Sequence, residues 1–269
     1  MIPLVGNNAA TALAAQGLDW IVPVWPAPSR VHAFSTTRNG AAGRSIDFAP
    51  SAPDVASARE LLRRLVPDEP VWLRQVHGTA IADLDASYNG LAADGSVTRT
   101  PGTVCAVLTA DCLPVLLADR DSGVVAVAHA GWRGLAAGVI EAAVAAMRIE
   151  PSSVLAWLGP AIGPRAFEVG SDVFAAFCEA DPGAAECFVQ CTKMSTKMST
   201  KMSTNMSANM KWHADLYALA RRRLARVGVG AVYGRERCTL TESKCFHSYR
   251  RDGPGASGRM ATLIWIGSQ

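Results

Sequence analysis

Apolar positions in this chain fall into short, unbroken runs. Residues 103–108, 113–118 and 124–128 are three of them, rich in Val, Leu and Ala. Runs of this length bounded by polar residues predict strands buried on both faces. Residues 119–123 read as a tight polar turn, so the second and third runs predict a hairpin. A short strand is expected at 71–76, ending at His77, another at 154–158, stopped by Gly159-Pro160, and a last one at 259–266. Between 20 and 36 the apolar pieces are broken by Pro23, Pro26 and Pro28, which predicts short or edge strands. Residues 37–40 read as a turn leading into a Gly/Ala-rich loop up to Pro53. Helical spacing appears at 55–65, with Ala56, Leu61, Leu62 and Leu65 on one side, and at 134–147, with Leu135, Val139, Ile140 and Val144. Residues 9–15 read as a short helix or a mobile lead-in, and further helices are expected at 171–180, with Ser171 as N-cap, and at 212–227.

One segment breaks the pattern. Thr-Lys-Met-Ser recurs at 192–195, 196–199 and 200–203, then decays through 204–211. A period of four matches neither a strand nor a solenoid repeat. The segment holds five of the eight Met and four of the five Lys in an otherwise Arg-rich chain. It reads as a surface loop lengthened by repeat expansion. Residues 1–269 are therefore expected to form one domain carrying a low-complexity insertion at about 192–211.

Composition narrows the classes. The apolar fraction of 49% is ample for a buried core. No apolar run reaches the ~18 residues of a membrane span, since Asp111 interrupts the best candidate. The first basic residue is Arg30, so no signal peptide is read and a cytoplasmic protein is expected. Seven cysteines without a CxxC spacing suit reduced thiols, most of them expected in the core. The net charge of +3 is scattered apart from Arg221-Arg222-Arg223, expected on a solvated helix face, and Arg250-Arg251. No basic stripe with interleaved aromatics suggests nucleic acid.

The candidate chemistry lies at the ends of the apolar runs. Gln75-Val76-His77-Gly78, Asp111-Cys112 and His129-Ala130-Gly131-Trp132-Arg133-Gly134 bring two imidazoles and a thiol to such ends. Two His and one Cys suit a tetrahedral zinc with the fourth position open, the arrangement of a catalytic site. The ligands stand 35 and 17 residues apart, so the fold must assemble them. Each residue taken singly also suits an ordinary core or surface position.

Six segments together carry a resemblance: residues 74–78, Ala93-Asp94-Gly95, 109–115, 129–134, 159–163 and 248–253. Over roughly residues 30 to 266 the chain resembles the YfiH family, also called the laccase-domain or polyphenol oxidoreductase family. The resemblance implies a mixed-sheet α/β sandwich of the YfiH-like fold. It implies one Zn2+ on His77, Cys112 and His129. It further implies purine nucleoside phosphorylase activity on adenosine, inosine, guanosine and methylthioadenosine, with adenosine deaminase activity. Nucleosides and phosphate would then be the partners, with no nucleic acid or membrane, and the state a monomer or weak homodimer. The chain departs from the family's pattern in the 192–211 repeat and in the loop from Asn39 to Ser45.

Within that reading, an open zinc position can lower the pKa of a water toward about 7, which suits deamination at C6 of adenine. Asp111 is a candidate for proton transfer or for orienting a ligand. Arg38, Arg133 and Arg251 are candidates for gripping phosphate, and Gln75 for reading a purine edge or ribose hydroxyl. Tyr249 is expected in the core, with a stacking role as the alternative. Multicopper oxidase chemistry is disfavoured, because a trinuclear cluster needs several His-x-His pairs and the five His here (32, 77, 129, 213 and 247) form none. Copper can still displace zinc from a single site. The competing function is a hydrolase with Cys112 as nucleophile and His129 as base, acting on a cell-wall precursor or an amide.

Overall fold

The apolar runs pair as expected, and they pair in layers. The structure is a computed structural model and describes residues 8–86, 90, 92–121, 123–191, 210–234 and 237–268. In chain order the elements are α1 (Asn8–Ala15), β1 (Val31–Ser35), α2 (Val55–Arg63), β2 (Ile81–Asp83), β3 (Gly95–Thr98), β4 (Cys105–Thr109), β5 (Leu113–Asp119), β6 (Val125–Ala130), α3 (Trp132–Ala137), α4 (Val139–Met147), β7 (Val154–Leu158), β8 (Glu168–Gly170), α5 (Ser171–Cys178), β9 (Phe188–Gln190), β10 (Lys211–Ala214), α6 (Leu216–Arg226), β11 (Ala231–Tyr233), α7 (Tyr249–Asp252) and β12 (Met260–Ile266). A six-stranded mixed sheet runs β11-β7-β5-β6-β3-β2, with parallel pairs only at its two edges. A three-stranded antiparallel sheet, β1-β12-β4, packs against it, and a smaller antiparallel sheet, β8-β10-β9, places Val169, Phe188 and Ala214 in the same core cluster as α4 and α6.

Side-chain alternation sorts the core into three clusters. Leu113, Val115 and Leu117 of β5 and Ala126 and Ala128 of β6 face α4 and α6. Leu116, Ala118, Val125 and Val127 face the other way and meet Cys105, Val107, Ile264 and Ile266 of the three-stranded sheet. The far face of that sheet, through Ala106, Leu263 and Trp265, is covered by Leu13 of α1 and Leu62 of α2. Helices, sheet, sheet, helices is a mixed α/β sandwich, with both sheets covered on both faces. No helix among the described residues is long and apolar enough to cross a membrane.

Six local expectations change. The helix expected at 134–147 is two helices, because Gly138 adopts φ 104, caps α3 and starts α4; that backbone is cheap only for glycine. The helix expected from 212 begins later. Residues 211–214 form β10, where Trp212 stacks on Phe174 at 4.3 Å, and Asp215 then caps α6 by accepting the Ala218 N–H at 2.9 Å. Ser171 is not the cap of α5; Gly170 holds that position without a side-chain bond. The run at 71–76 makes only isolated bridges, from Val71 to Cys105 and from Arg74 to Ala92. The three consecutive arginines are not a solvated face: Arg223 is buried against Glu141 and the Ala136 carbonyl, Arg222 pairs with Asp181, and Arg221 donates to the Val232 and Gly234 carbonyls. Of the seven cysteines, all free, only Cys105 is buried, so most are not core residues. The repeat lies outside the described residues except for Met210 and Lys211.

Candidate metal centre

Three chain turns meet at one end of the six-stranded sheet. The β5–β6 hairpin sets Pro114 opposite His129, so Cys112, just before β5, lies beside the end of β6. β3 sets Gly95 opposite Ala128, which places Asp94 against His129. The loop carrying His77 is tied to the same point. Fully buried Asp94 accepts the N–H groups of Val76 at 3.1 Å, His77 at 2.8 Å and Gly78 at 2.7 Å. Its Oδ1 also meets His129 Nδ1 at 2.9 Å. One carboxylate thus fixes the loop that carries one imidazole and orients the ring of the other. With Nδ1 engaged, the Nε2 of His129 is left to face the site, the usual arrangement of a carboxylate behind a metal-binding histidine.

The donors converge. The ligand atoms of His77, Cys112 and His129 all lie within 4.8 Å of one another, with Cys112 Sγ 3.8 Å from His77 Nε2. The two imidazole rings stand edge to face, 4.8 Å between centroids. Two glycines make this approach possible. A Cβ on Gly131 would lie 2.7 Å from His77 Cδ2 and 3.0 Å from Cys112 Sγ, and a Cβ on Gly134 2.8 Å from the Gly78 carbonyl oxygen. His77 and Asp111 both hold positive φ, 60 and 85, a conformation that costs energy for non-glycine residues and is held here by hydrogen bonds on every side.

Electrostatics prepares the thiol. Burial alone would push the Cys112 thiol up; the charge of His129 and hydrogen bonds from both imidazoles bring it down to about 6. Burial alone would lower His129; the Cys112 thiolate and the Asp94 carboxylate raise it to about 9. Burial would raise Asp94, but the bonds from His129 and from the Gly78 and Val76 N–H groups hold it below the usual carboxylate range. Each of the two groups thus favours the charged form of the other. A soft thiolate and two imidazoles fit Zn2+ or a metal of similar softness.

These residues open into a cavity of about 840 Å3, also lined by Arg74, Gln75, Asp111, Trp132, Arg133, Phe167, Tyr249, Arg250 and Arg259. The size suits a small-molecule site. A family model described as multi-copper polyphenol oxidoreductase laccase matches residues 32–267. The chain belongs to this laccase-domain, or YfiH, family. Purine nucleoside phosphorylase YfiH of Escherichia coli is 46% identical over 257 residues, covering 91% of this chain and 98% of that one. Purine nucleoside phosphorylase PA4543 of Pseudomonas aeruginosa is 43% identical, covering 92% and 98%. The crystal structure of Neisseria meningitidis protein NMB0706 superposes with a TM-score of 0.80 at 44% identity, covering 93% of this chain and all of that one.

The family's copper name does not describe the histidines of this member. Only His77 and His129 converge here. His247 Nε2 donates to the Ile46 carbonyl at 2.8 Å, His32 packs on Trp265, and His213 lies on β10. Other expected site residues divide. Cys112, Gln75, Arg133 and Asp111 line the cavity; Arg38 and Arg251 do not. The Arg251 guanidinium is engaged by Asp252 and by the Thr239, Leu240 and Phe246 carbonyls, and Arg38 donates to the Ser243 carbonyl. Both ends of the Gln75 amide hold the backbone of Leu108, at 2.7 and 2.8 Å. Asp111 touches none of the three donors; its carboxylate accepts from Thr239 Oγ1 at 2.5 Å, Ser248 Oγ at 3.1 Å and the Arg250 N–H at 2.7 Å. Tyr249 is 47% exposed at the cavity, not in the core. Arg133 lies over the Trp132 ring at 4.4 Å, with no carboxylate partner among the described residues. Asp94, the residue on which the site hangs, carries no signal of this role in the sequence beyond its place in Ala93-Asp94-Gly95.

Proposed function

We propose that this chain is a zinc-dependent purine nucleoside phosphorylase acting on adenosine, inosine, guanosine and methylthioadenosine, with adenosine deaminase activity. The observation that carries the reading is the His77–Cys112–His129 cluster opening into an arginine-lined cavity, in a chain 46% identical over most of its length to a protein named purine nucleoside phosphorylase. Zinc held by these three residues would supply Lewis-acid charge beside the reacting atoms. Arg133 and Arg74 are placed to grip phosphate, whose oxygen bonds to ribose C1′ as the C1′–N9 bond breaks and the base leaves with its electron pair. Tyr249 offers its ring as a platform for the purine. Gln75 shapes the wall by holding Leu108, and Asp111 holds the Thr239–Arg250 loops around the opening.

The test is metal-defined protein with adenosine, with and without phosphate, followed by separation of products. Adenine that forms only with phosphate, and is lost in Cys112→Ala, supports phosphorolysis. Inosine formed without phosphate supports deamination. The proximity of the Cys112 thiol to the His129 imidazole supports a second reading, a hydrolase with Cys112 as nucleophile. That reading requires turnover that survives metal removal and is stopped by alkylation, with neither adenine nor inosine formed.

A further inference from the structure

The geometry points to a second divalent-metal site, formed by Glu168, Cys191 and His213 on the outer face of the small β8-β10-β9 sheet. His213 stands directly opposite Glu168 across β8 and β10, and opposite Val189 across β9 and β10. The Cys191 N–H donates to the Lys211 carbonyl at 2.9 Å, so the ladder continues to Cys191 and its side chain shares the face of Val189. Val189 is 68% exposed, while Trp212 and Val169, on the opposite face, pack inward. One carboxylate oxygen, one thiol sulfur and one imidazole nitrogen thereby come within 4.8 Å of one another on three adjacent strands.

None of these three side chains has another hydrogen bond or ion pair among the described residues, and all three are half-buried. Donors around a tetrahedral zinc stand about 3.5 Å apart, so small rotamer changes close the site. A thiolate, an imidazole and a carboxylate together select a borderline ion of the Zn2+ or Co2+ class over Mg2+ or Ca2+. Three protein ligands leave a position for water, and the Cys191 thiol gives its proton to solvent on binding. The ion would tie all three strands together. Phe167, next to Glu168, lines the main cavity, and the Glu168 carbonyl accepts from Arg250 at 2.9 Å, so closing this sheet also steadies one cavity wall.

Metal-free full-length chain titrated with Co2+ and with Zn2+ tests the site. The wild type is expected to take up two equivalents, Cys112→Ala/His129→Ala one, Cys191→Ser/His213→Ala one, and the fourfold variant none, by equilibrium dialysis and metal analysis. Loss of Cys191 and His213 should also remove one set of thiolate-to-Co2+ absorption. In Cys112→Ala/His129→Ala, Zn2+ should slow alkylation of Cys191, read by peptide mass spectrometry, about tenfold or more, as a bound thiolate is no longer free to react. Should that variant not fold, the Cys191 peptide of the wild type beyond one equivalent of Zn2+ gives the same reading. Equal uptake by the wild type and Cys191→Ser/His213→Ala, or alkylation of Cys191 unchanged by Zn2+, overturns the proposal. Failure of the His77–Cys112–His129 reading is a separate result: Cys112→Ala/His129→Ala would then bind as much as the wild type.

Discussion

At the scale of single residues, the centre depends on one carboxylate and one missing methyl group. Asp94 accepts four bonds, and Asn would offer a single acceptor oxygen with an NH2 where the other oxygen stood. Asp94→Asn therefore leaves at least one N–H of residues 76–78 unpaired and disturbs the hold on His129. It is expected to weaken binding of the proposed metal by about 10–100-fold, as loss of such an outer partner does elsewhere, and to lower unfolding free energy by about 2 kcal/mol. Competition with a chelator and urea denaturation measure the two effects. Gly131→Ala separates them. Its Cβ collides with His77 and Cys112 and not with the core, so metal affinity should fall about tenfold or more while circular dichroism stays that of the wild type. A Gly131→Ala protein with unaltered affinity would show that the rings move aside freely.

Among elements, the β4–β5 turn is where packing and site are joined. Asp111 at φ 85 lies between these two strands and binds the loops carrying Thr239, Ser248 and Arg250, more than a hundred residues away. Asp111→Ala strands two buried hydroxyls and the Arg250 N–H and keeps an unfavourable backbone conformation. A loss of about 2–3 kcal/mol is expected, with faster amide exchange over α7. Because Tyr249 and Arg250 line the cavity, the proposed activity predicts that KM for the nucleoside should rise more than kcat falls; a kcat effect alone would instead mark Asp111 as a proton-transfer group. This role was not legible in the sequence. Strands β4 to β7 were, because a strand buried on both faces is an unbroken apolar run. The ligand trio was legible as residue types at strand ends, yet its convergence follows from the β3–β6 and β5–β6 registers, which no local pattern fixes. The same limit hid the ties of Arg221, Arg222 and Arg223, since a triple arginine reads alike whether its partners are water or distant carbonyls. Tyr249 was misplaced because an aromatic beside charged residues carries no sign of which side faces a cavity.

For the whole molecule, several carboxylates outside the site are held below the usual carboxylate range by the fold, and this sets its response to acid. The Arg222 guanidinium, with that of Arg226, holds Asp181 down to about 2 and ties the segment after α5 to α6. Arg251 lowers Asp252. Burial would raise Asp85 and Glu242, but the Thr98 hydroxyl and Arg99 N–H lower the first and Arg237 lowers the second. In each case the folded state binds its proton at lower pH than the unfolded chain, whose carboxyls titrate near 4. Folding stability from these groups is therefore complete above about pH 4 and is lost as pH falls through the folded values, down to about 2 for Asp181. The thermal midpoint of metal-free protein should drop steadily from pH 5 to pH 2. Asp181→Asn isolates one clamp. Its midpoint should lie below that of the wild type at pH 5, and the gap should close as pH falls through about 2, where the wild-type carboxyl is neutralised as well. A gap that stays constant across that range would mean that the Asp181–Arg222 pair adds nothing to stability and that the variant is weakened by packing alone.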